Sequence, residues 1–404
     1  LLGGVICGLA PSMEILIAGR FVQGFGGGGL IVVAMAVAAD VLPVRQRGKA
    51  QGMMGAVFGI STVIGPLIGG FIVQHLGWHW IFFANLPIAL AALVVLNLAL
   101  RRTVLTSRPQ LDVAGAVVLM ALLSLAVLIP ASGGTLLPWG STAMIAMLLA
   151  LVASVVAFVL IERRAPEPIL PPELFRIRAF LVSNGVGFLV GTAMFGAITF
   201  IPLYLQVVKG VTPTVSGIYL LPMMAGLIGT SALAGWWMTR TGHYRMLPVY
   251  SSAMLTLGMF GLSRMSPETP LGVIVLWMAV TGIGLGPAFS VGVVAIQNAV
   301  PRSMLGVGTA SANMFRLIGG SIGTAAFGAI FGAGLARNLE GLMPGADSIR
   351  SISRATVTSL PPEVQKTVIA GFSAALTPIF LVATGLAAVA CLLALMLREE
   401  PLPD

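Results

Sequence analysis

The sequence predicts an all-α, polytopic transmembrane helical bundle, and three observations carry that prediction. Hydrophobic residues make up 57% of the 404 residues and charged residues only 9%, whereas water-soluble domains carry about a quarter charged residues. The apolar residues form long blocks, and about 20 residues of helix cross the ~30 Å hydrocarbon layer. The charges gather at the joints between the blocks. Helices are expected rather than strands, because lipid cannot satisfy the open backbone groups of a strand edge.

The elements follow in chain order. Residues 1–10 are apolar but too short to span, and read as the end of a helix. Neither an initiator methionine nor a charged leader stands before Leu1, so the chain is expected to lack its true N-terminus. Eleven candidate spans follow at about 15–39, 51–73, 80–100, 112–130, 141–161, 180–206, 214–238, 246–263, 271–295, 304–335 and 369–397. The 50 glycines are compatible with helix here, because small residues let membrane helices approach closely.

The connectors alternate in charge. One alternating set holds Arg45, Arg47, Lys49, Arg101, Arg102, Arg108, Arg163, Arg164, Arg176, Arg178, Arg240, Arg245, Arg302 and Arg398; the opposite set holds only Lys209, Arg264, Arg337, Arg350, Arg354 and Lys366. The first set is expected on the cytoplasmic side, which puts the C-terminus inside a multi-pass protein of the cell membrane. Residues 162–179 are rich in Pro and charge and read as a semi-rigid inside linker with a short helix near Leu174 to Ile177. Residues 336–368 form the longest polar loop.

Composition excludes several functions. The net charge is +9, yet no basic helix interleaved with aromatics is present to track a phosphate backbone, so no nucleic-acid partner is expected. Cys7 and Cys391 lie apart in apolar runs, and His75 and His79 flank Trp78 in a connector. These patterns predict no metal, no cofactor and no disulfide framework. With no nucleophile–base pair, the chain is not expected to be an enzyme.

Within the spans, Arg20 is the costliest residue, since an intramembrane arginine opposes insertion by ~2.5 kcal/mol or more. Gln23 and Gly24 lie one turn on, before the run Gly26 to Gly29. That face is expected to meet a helix closely and leave Arg20 and Gln23 in a polar seam. The run lacks a preceding strand and a GK[ST] sequence, so it is not a phosphate loop. In GISTVIGPLIGG (59–70), Pro66 removes a backbone donor among Gly59, Gly65, Gly69 and Gly70. Static small-residue packing and a gating bend both fit, and composition does not separate them. Asp40 ends a span before an inside loop, and Asp112 is placed to cap one. Asn184, Met194, Tyr204, Gln206, Asn313 and Arg316 are candidate lining for a substrate cavity. The stretch NMFRLIGGSIG (313–323) echoes GPLIGG, suggesting an approximate repeat. No Asp or Glu falls clearly in mid-membrane.

These residues resemble a known family. LIAGRFVQGFGGGG (16–29) is similar to the fourth-helix signature of the major facilitator superfamily, and GISTVIGPLIGGFI (59–72) to the fifth-helix signature of its drug antiporters. LGWHWIFFANLPIA (76–89), IPLYLQVVKG with SGIYLLP, and NMFRLIGGSIG extend the resemblance to the 14-helix drug:proton antiporter branch, over essentially the whole chain.

The resemblance implies a major facilitator fold with two extra central helices. Residues 1–100 would be the remainder of an N-terminal six-helix bundle (helices 3–6), 101–179 the extra helices and linker, and 180–404 a C-terminal six-helix bundle. Two helices, and the acidic residue the family places in its first, would then precede Leu1, and residues 1–404 alone are expected not to transport. Arg20 matches the arginine linked to proton coupling, with Gln23 and Gly24 completing that signature. Asp40 matches an acidic position near the cytoplasmic gate, and Gly59, Gly65, Pro66, Gly69 and Gly70 match the antiporter motif. GWWMTRTGHYR (235–245) looks like a degraded loop signature, with Thr239 where aspartate is common. The implied activity is export of drugs or other amphipathic or cationic small molecules in exchange for protons, by a monomer in contact with membrane lipid. An exporter of one natural metabolite and a non-transporting membrane scaffold or sensor remain as alternatives.

Overall fold

The computed structural model describes residues 1–99, 111–133, 136–339 and 361–398. Helices within them overlie each of the eleven expected spans. A short α1 (Leu2–Gly8) precedes α2 (Met13–Val41), α3 (Val44–Leu76) and α4 (Trp80–Ala99). Then come α5 (Val113–Ser132), α6 (Thr142–Glu162), α7 (Arg178–Val207), α8 (Pro213–Tyr219) and α9 (Leu221–Thr241). The chain continues through α10 (Met246–Leu262), α11 (Leu271–Ala299), α12 (Leu305–Asn338) and α13 (Pro362–Leu395). Among the described residues, eight stretches are long and apolar enough to cross a membrane. The segment 100–110 and most of the expected polar loop at 336–368 lie outside the described residues, as do the side chains of Asp40, Gly59 and Pro66.

Local chemistry sets the boundaries. Asp112 caps α5 by accepting from the Gly115 amide at 2.7 Å, as its position suggested. Ser141 caps α6 and Thr212 caps α8 in the same way, each at 3.3 Å. The expected span 214–238 is split: α8 stops at Tyr219 and α9 restarts with Pro222 in its first turn, where the missing N–H costs nothing. Gly242, at φ 72°, closes α9 in the left-handed conformation. In the linker, residues 172–176 form one 3-10 turn, close to the expected short helix.

Two helix groups flank a hairpin. α7 and α9 to α13 pack on one another around one apolar cluster, whose buried members run from Ala179 to Leu397. In the N-terminal group α1 lies against α2 and α4. The α5–α6 hairpin joins them, with α5 also resting on α12. The groups meet where α3 runs along α9 and α11, and where α2 meets α12. Many apolar side chains of α4 and α6 point outward, including Leu98, Leu149 and Val152, as lipid-facing helices require.

Candidate functional site

The first cluster is built on α2. Arg20 is exposed, and its Nη1 donates to Gln23 Oε1 at 2.8 Å, one turn along the same face. The guanidinium also stands 5.9 Å from the centroid of the Phe82 ring on α4. Gln23 is half-buried because α1 crosses α2 there: a Cβ added at Gly3 would lie 2.4 Å from the Gln23 amide nitrogen. Gly19 is pressed against Cys7 and Ile6, and Gly8 against Phe83. These glycines bring α1 into the groove between α2 and α4, and so fix the backbone that carries Arg20. The run beyond behaves differently. A Cβ at Gly24, or at Gly26 through Gly29, would meet nothing within 4 Å. The same holds at Gly65, Gly69 and Gly70 on α3. The close approach expected at the glycine run therefore falls at Gly3 and Gly19 instead.

The second cluster is a polar ladder on α12. Arg316 is only 9% exposed, and its Nη2 donates to Asn313 Oδ1 at 2.5 Å. Its guanidinium lies 4.1 Å from the centroid of the Phe289 ring on α11. Asn313 Nδ2 donates to the Thr309 carbonyl at 3.3 Å, and the Thr309 hydroxyl accepts from Gln297 Nε2 at 2.9 Å. The ladder thus climbs from α11 through Thr309 and Asn313 to a buried cation. Glycines bring the helices close enough to bury it. A Cβ at Gly191 on α7 would sit 2.3 Å from the Arg316 carbonyl oxygen, and one at Gly319 would sit 2.1 Å from that of Phe188. Thr192 closes the same crossing by donating to the Gly319 carbonyl at 2.9 Å. Sequence reasoning singled out Arg316 and Asn313 as cavity lining, and did not single out Gln297, Thr309 or Phe289. The spacing of 309, 313 and 316 on one helical face was the available signal for Thr309.

The α7 candidates are buried, and their polar atoms serve different neighbours. The Tyr204 hydroxyl donates to the Ser266 carbonyl at 2.7 Å, tying α7 to the turn before α11. Lys209 strengthens that tie by donating to the carbonyls of Pro267 and Thr269 at 2.5 and 2.6 Å. Burial lowers the Lys209 pKa, an effect partly offset by Glu268. Gln206 donates to the Ser216 hydroxyl of α8 at 3.0 Å. Met194 is 1% exposed in the apolar core. Asn184 is buried, and its side-chain oxygen has no hydrogen-bond partner among the described residues. Of the six cavity candidates, Asn313 lines a cavity of about 530 Å³ between α2, α5, the linker and α12, and those on α7 do not.

Comparison with known proteins places this arrangement in a family. Residues 1–115 and 105–324 match the family profile of the Major Facilitator Superfamily. The chain is 38% identical, over all its 404 residues, to an uncharacterized MFS-type transporter of Mycobacterium tuberculosis, of which it covers 59%. It is 35% identical over 347 residues to the multidrug transporter protein MdtP of Bacillus subtilis, an alignment covering 85% of this chain and 64% of that protein. To multidrug resistance protein 3 of the same organism it is 30% identical over 402 residues, covering 95% of this chain and 77% of that protein. The chain thus spans about three-fifths of the length of the first two relatives. An all-α bundle of membrane-length helices, with a profile match over most of its length, makes this chain a member of the Major Facilitator Superfamily of membrane transporters.

Proposed function

We propose that the protein is a secondary active transporter that exports drugs or other amphipathic or cationic small molecules in exchange for protons. It belongs, in this reading, to the 14-helix branch, and α5 and α6 are the two extra central helices. Residues 1–100 contribute to an N-terminal bundle, 101–179 form the hairpin and linker, and 180–404 form a C-terminal bundle. The two bundles rock about a cavity near the middle of the membrane. Such coupling requires proton and substrate to favour different states, not simply to bind. The basic connectors, including the C-terminal tail, face the cytoplasm.

The observation that carries this reading is the way the two helix groups touch. Contact runs through α3 on α9 and α11 and through α2 on α12, while the C-terminal group keeps its own apolar core. α3 packs chiefly along α9 and α11 and only lightly on α2 and α4, so in this reading the surface across which the groups move is carried mainly by that one helix. Multidrug naming of the two Bacillus relatives supports the substrate class. Arg20, Gln23, Gly24 and Asp40 are assigned to proton coupling. Gly59, Gly65, Pro66, Gly69 and Gly70 are assigned to bending and packing of α3.

The test is transport by the full-length protein reconstituted in vesicles, with ethidium as the probe. An imposed proton gradient is expected to drive its movement, and a protonophore to abolish it. Arg20→Gln should slow gradient-driven transport about ten-fold or more, a barrier change of ~1.4 kcal/mol. Ethidium movement that survives collapse of the gradient would refute proton coupling. Transport confined to a single metabolite would favour the natural-product reading.

A further inference from the structure

The turn that joins α9 to α10 has no part in proton coupling or in the buried ladder on α12. Its charge is one-sided. Arg240 and Arg245 flank it, both exposed, and the sequence holds no Asp or Glu between Glu173 and Glu268. The turn is firmly held. The Thr241 hydroxyl donates to the Trp237 carbonyl at 2.8 Å and accepts from the His243 amide at 3.2 Å. Gly242 reverses the chain at φ 72°. Tyr244 is buried in the apolar cluster of the C-terminal group. The two arginines are thus carried on a fixed frame.

Aromatic residues set the depth of that frame. Trp236 and Trp237 are each about half exposed near the end of α9. Neighbouring residues on a helix point about 100° apart, so the two indoles cover a broad outward sector. Tryptophans at the ends of membrane-spanning helices sit at the level of the lipid headgroups. Arg240 lies four residues on, about 6 Å farther along the axis, within a headgroup layer ~5–7 Å thick. Its guanidinium stands 4.8 Å from the centroid of the Trp236 ring. Exposed Met246 and Tyr250 continue the outward face onto α10. Further arginines share this corner. Pro248 of α10, Val182 of α7 and Leu397 line one small cavity. Arg178 lies one turn before Val182 and Arg398 directly follows Leu397, and both are exposed. All four cations are arginines, whose planar fork meets phosphate oxygens through two parallel hydrogen bonds, where lysine is only a point charge.

We propose that the α9–α10 turn binds the headgroup phosphate of an anionic phospholipid, held by Arg240 and Arg245, with Trp236 as the platform for Arg240. Charge complementarity selects the occupant. A zwitterionic headgroup brings its own cation to a site already flanked by two, whereas an anionic one brings none. Arg178 and Arg398 add to the positive potential at the same corner. The inference rests on the chain crossing a bilayer, and not on the substrate, the coupling ion or the direction of transport.

The experiment uses the full-length protein, stripped of lipid in detergent, with native mass spectrometry reporting the binding of added phosphatidylglycerol or phosphatidylcholine. Phosphatidylglycerol is expected to bind the more tightly. Arg240→Gln and Arg245→Gln should each weaken it about five-fold, the usual contribution of one basic residue near an anionic membrane surface. Trp236→Leu leaves the net charge unchanged and should also weaken it, because Arg240 loses its platform. Arg163→Gln combined with Arg164→Gln removes two exposed charges from the end of α6 and should leave the affinity unchanged. Equal affinity for the two lipids, or an equal loss in the α6 pair, overturns the proposal. Displacement by inorganic phosphate at the concentration of the lipid would assign the turn to soluble anions and overturn it as well. So would a five-fold rise in lipid affinity on Glu399→Gln combined with Glu400→Gln, which would show the chain's own acidic tail seated on the arginines. Failure of gradient-driven ethidium movement would leave the lipid site standing, and failure of the lipid site would leave the transporter reading standing.

Discussion

Arg316 is nine-tenths buried, and it is held by an amide oxygen and an aromatic face. A buried cation with neutral partners creates an asymmetry between two substitutions. Asn313→Ala keeps the charge and removes its acceptor, so it should destabilise by about 1.5–3 kcal/mol, the worth of a hydrogen bond to a charged group. Arg316→Met removes the charge and keeps most of the volume, so its cost should be near zero, or a gain of up to ~4 kcal/mol. Thermal unfolding in detergent ranks the two variants. If Arg316→Met proves the more damaging, the guanidinium is doing structural work that Asn313 and Phe289 do not explain. Much of this cluster was legible in the sequence: a membrane arginine announces itself by its cost, and Asn313 lies one turn away. Its continuation was not. Gln297 reaches Thr309 across the turn between α11 and α12, and a polar residue in a span shows its need for a partner without saying which one. For the same reason Tyr204 and Gln206 read as cavity lining, although their polar atoms go to Ser266 and Ser216.

At the scale of the helix, hydropathy placed a helix at each expected span but trimmed several and missed the break within 214–238. The expected span at 51–73 lies inside α3, which starts at Val44, because Arg45, Arg47 and Lys49 are good helix formers that do not belong in lipid. Hydropathy marks where helix meets hydrocarbon, not where the helix ends. Glycine was harder to read. Glycines look alike in sequence, yet Gly191 and Gly319 lie at a backbone crossing, while Gly24 and Gly69 face open space. The difference depends on which helices become neighbours, and no local pattern carries that. It yields a sharp contrast. Gly191→Ala and Gly319→Ala would place a methyl 2.3 and 2.1 Å from carbonyl oxygens, and should each destabilise by about 1–3 kcal/mol through overpacking. Gly24→Ala and Gly69→Ala meet nothing, and should be neutral or stabilise by up to ~1 kcal/mol through helix propensity. Melting temperatures of the four variants check this, and equal losses in both pairs would mean that α2 and α3 are packed more tightly than described.

For the molecule as a whole, the alternation of more basic and less basic connectors predicts which helix ends share a side but not which helices touch. That second fact decides how the protein could move. The buried apolar cluster lies entirely within residues 179–397, so the C-terminal group should behave as one unit, because a close-packed core does not deform gradually. In the proposed alternating-access cycle, the α2–α12 contact belongs to the surface across which the two groups shift. Gly28 of α2 and Leu317 of α12 line the same cavity and so supply one anchor on each side. With Gly28→Cys and Leu317→Cys combined, and Cys391→Ala to remove the half-buried native thiol, a short reducible bis-methanethiosulfonate should join the two groups. Alternating access requires that joining them stop transport and that a reductant restore it. Each single-cysteine variant treated alike should retain transport, which separates tethering from mere filling of the cavity. Unchanged transport by fully cross-linked protein would show that α2 and α12 stay together through the cycle, and the moving surface would then have to lie along α3 and its contacts with α9 and α11.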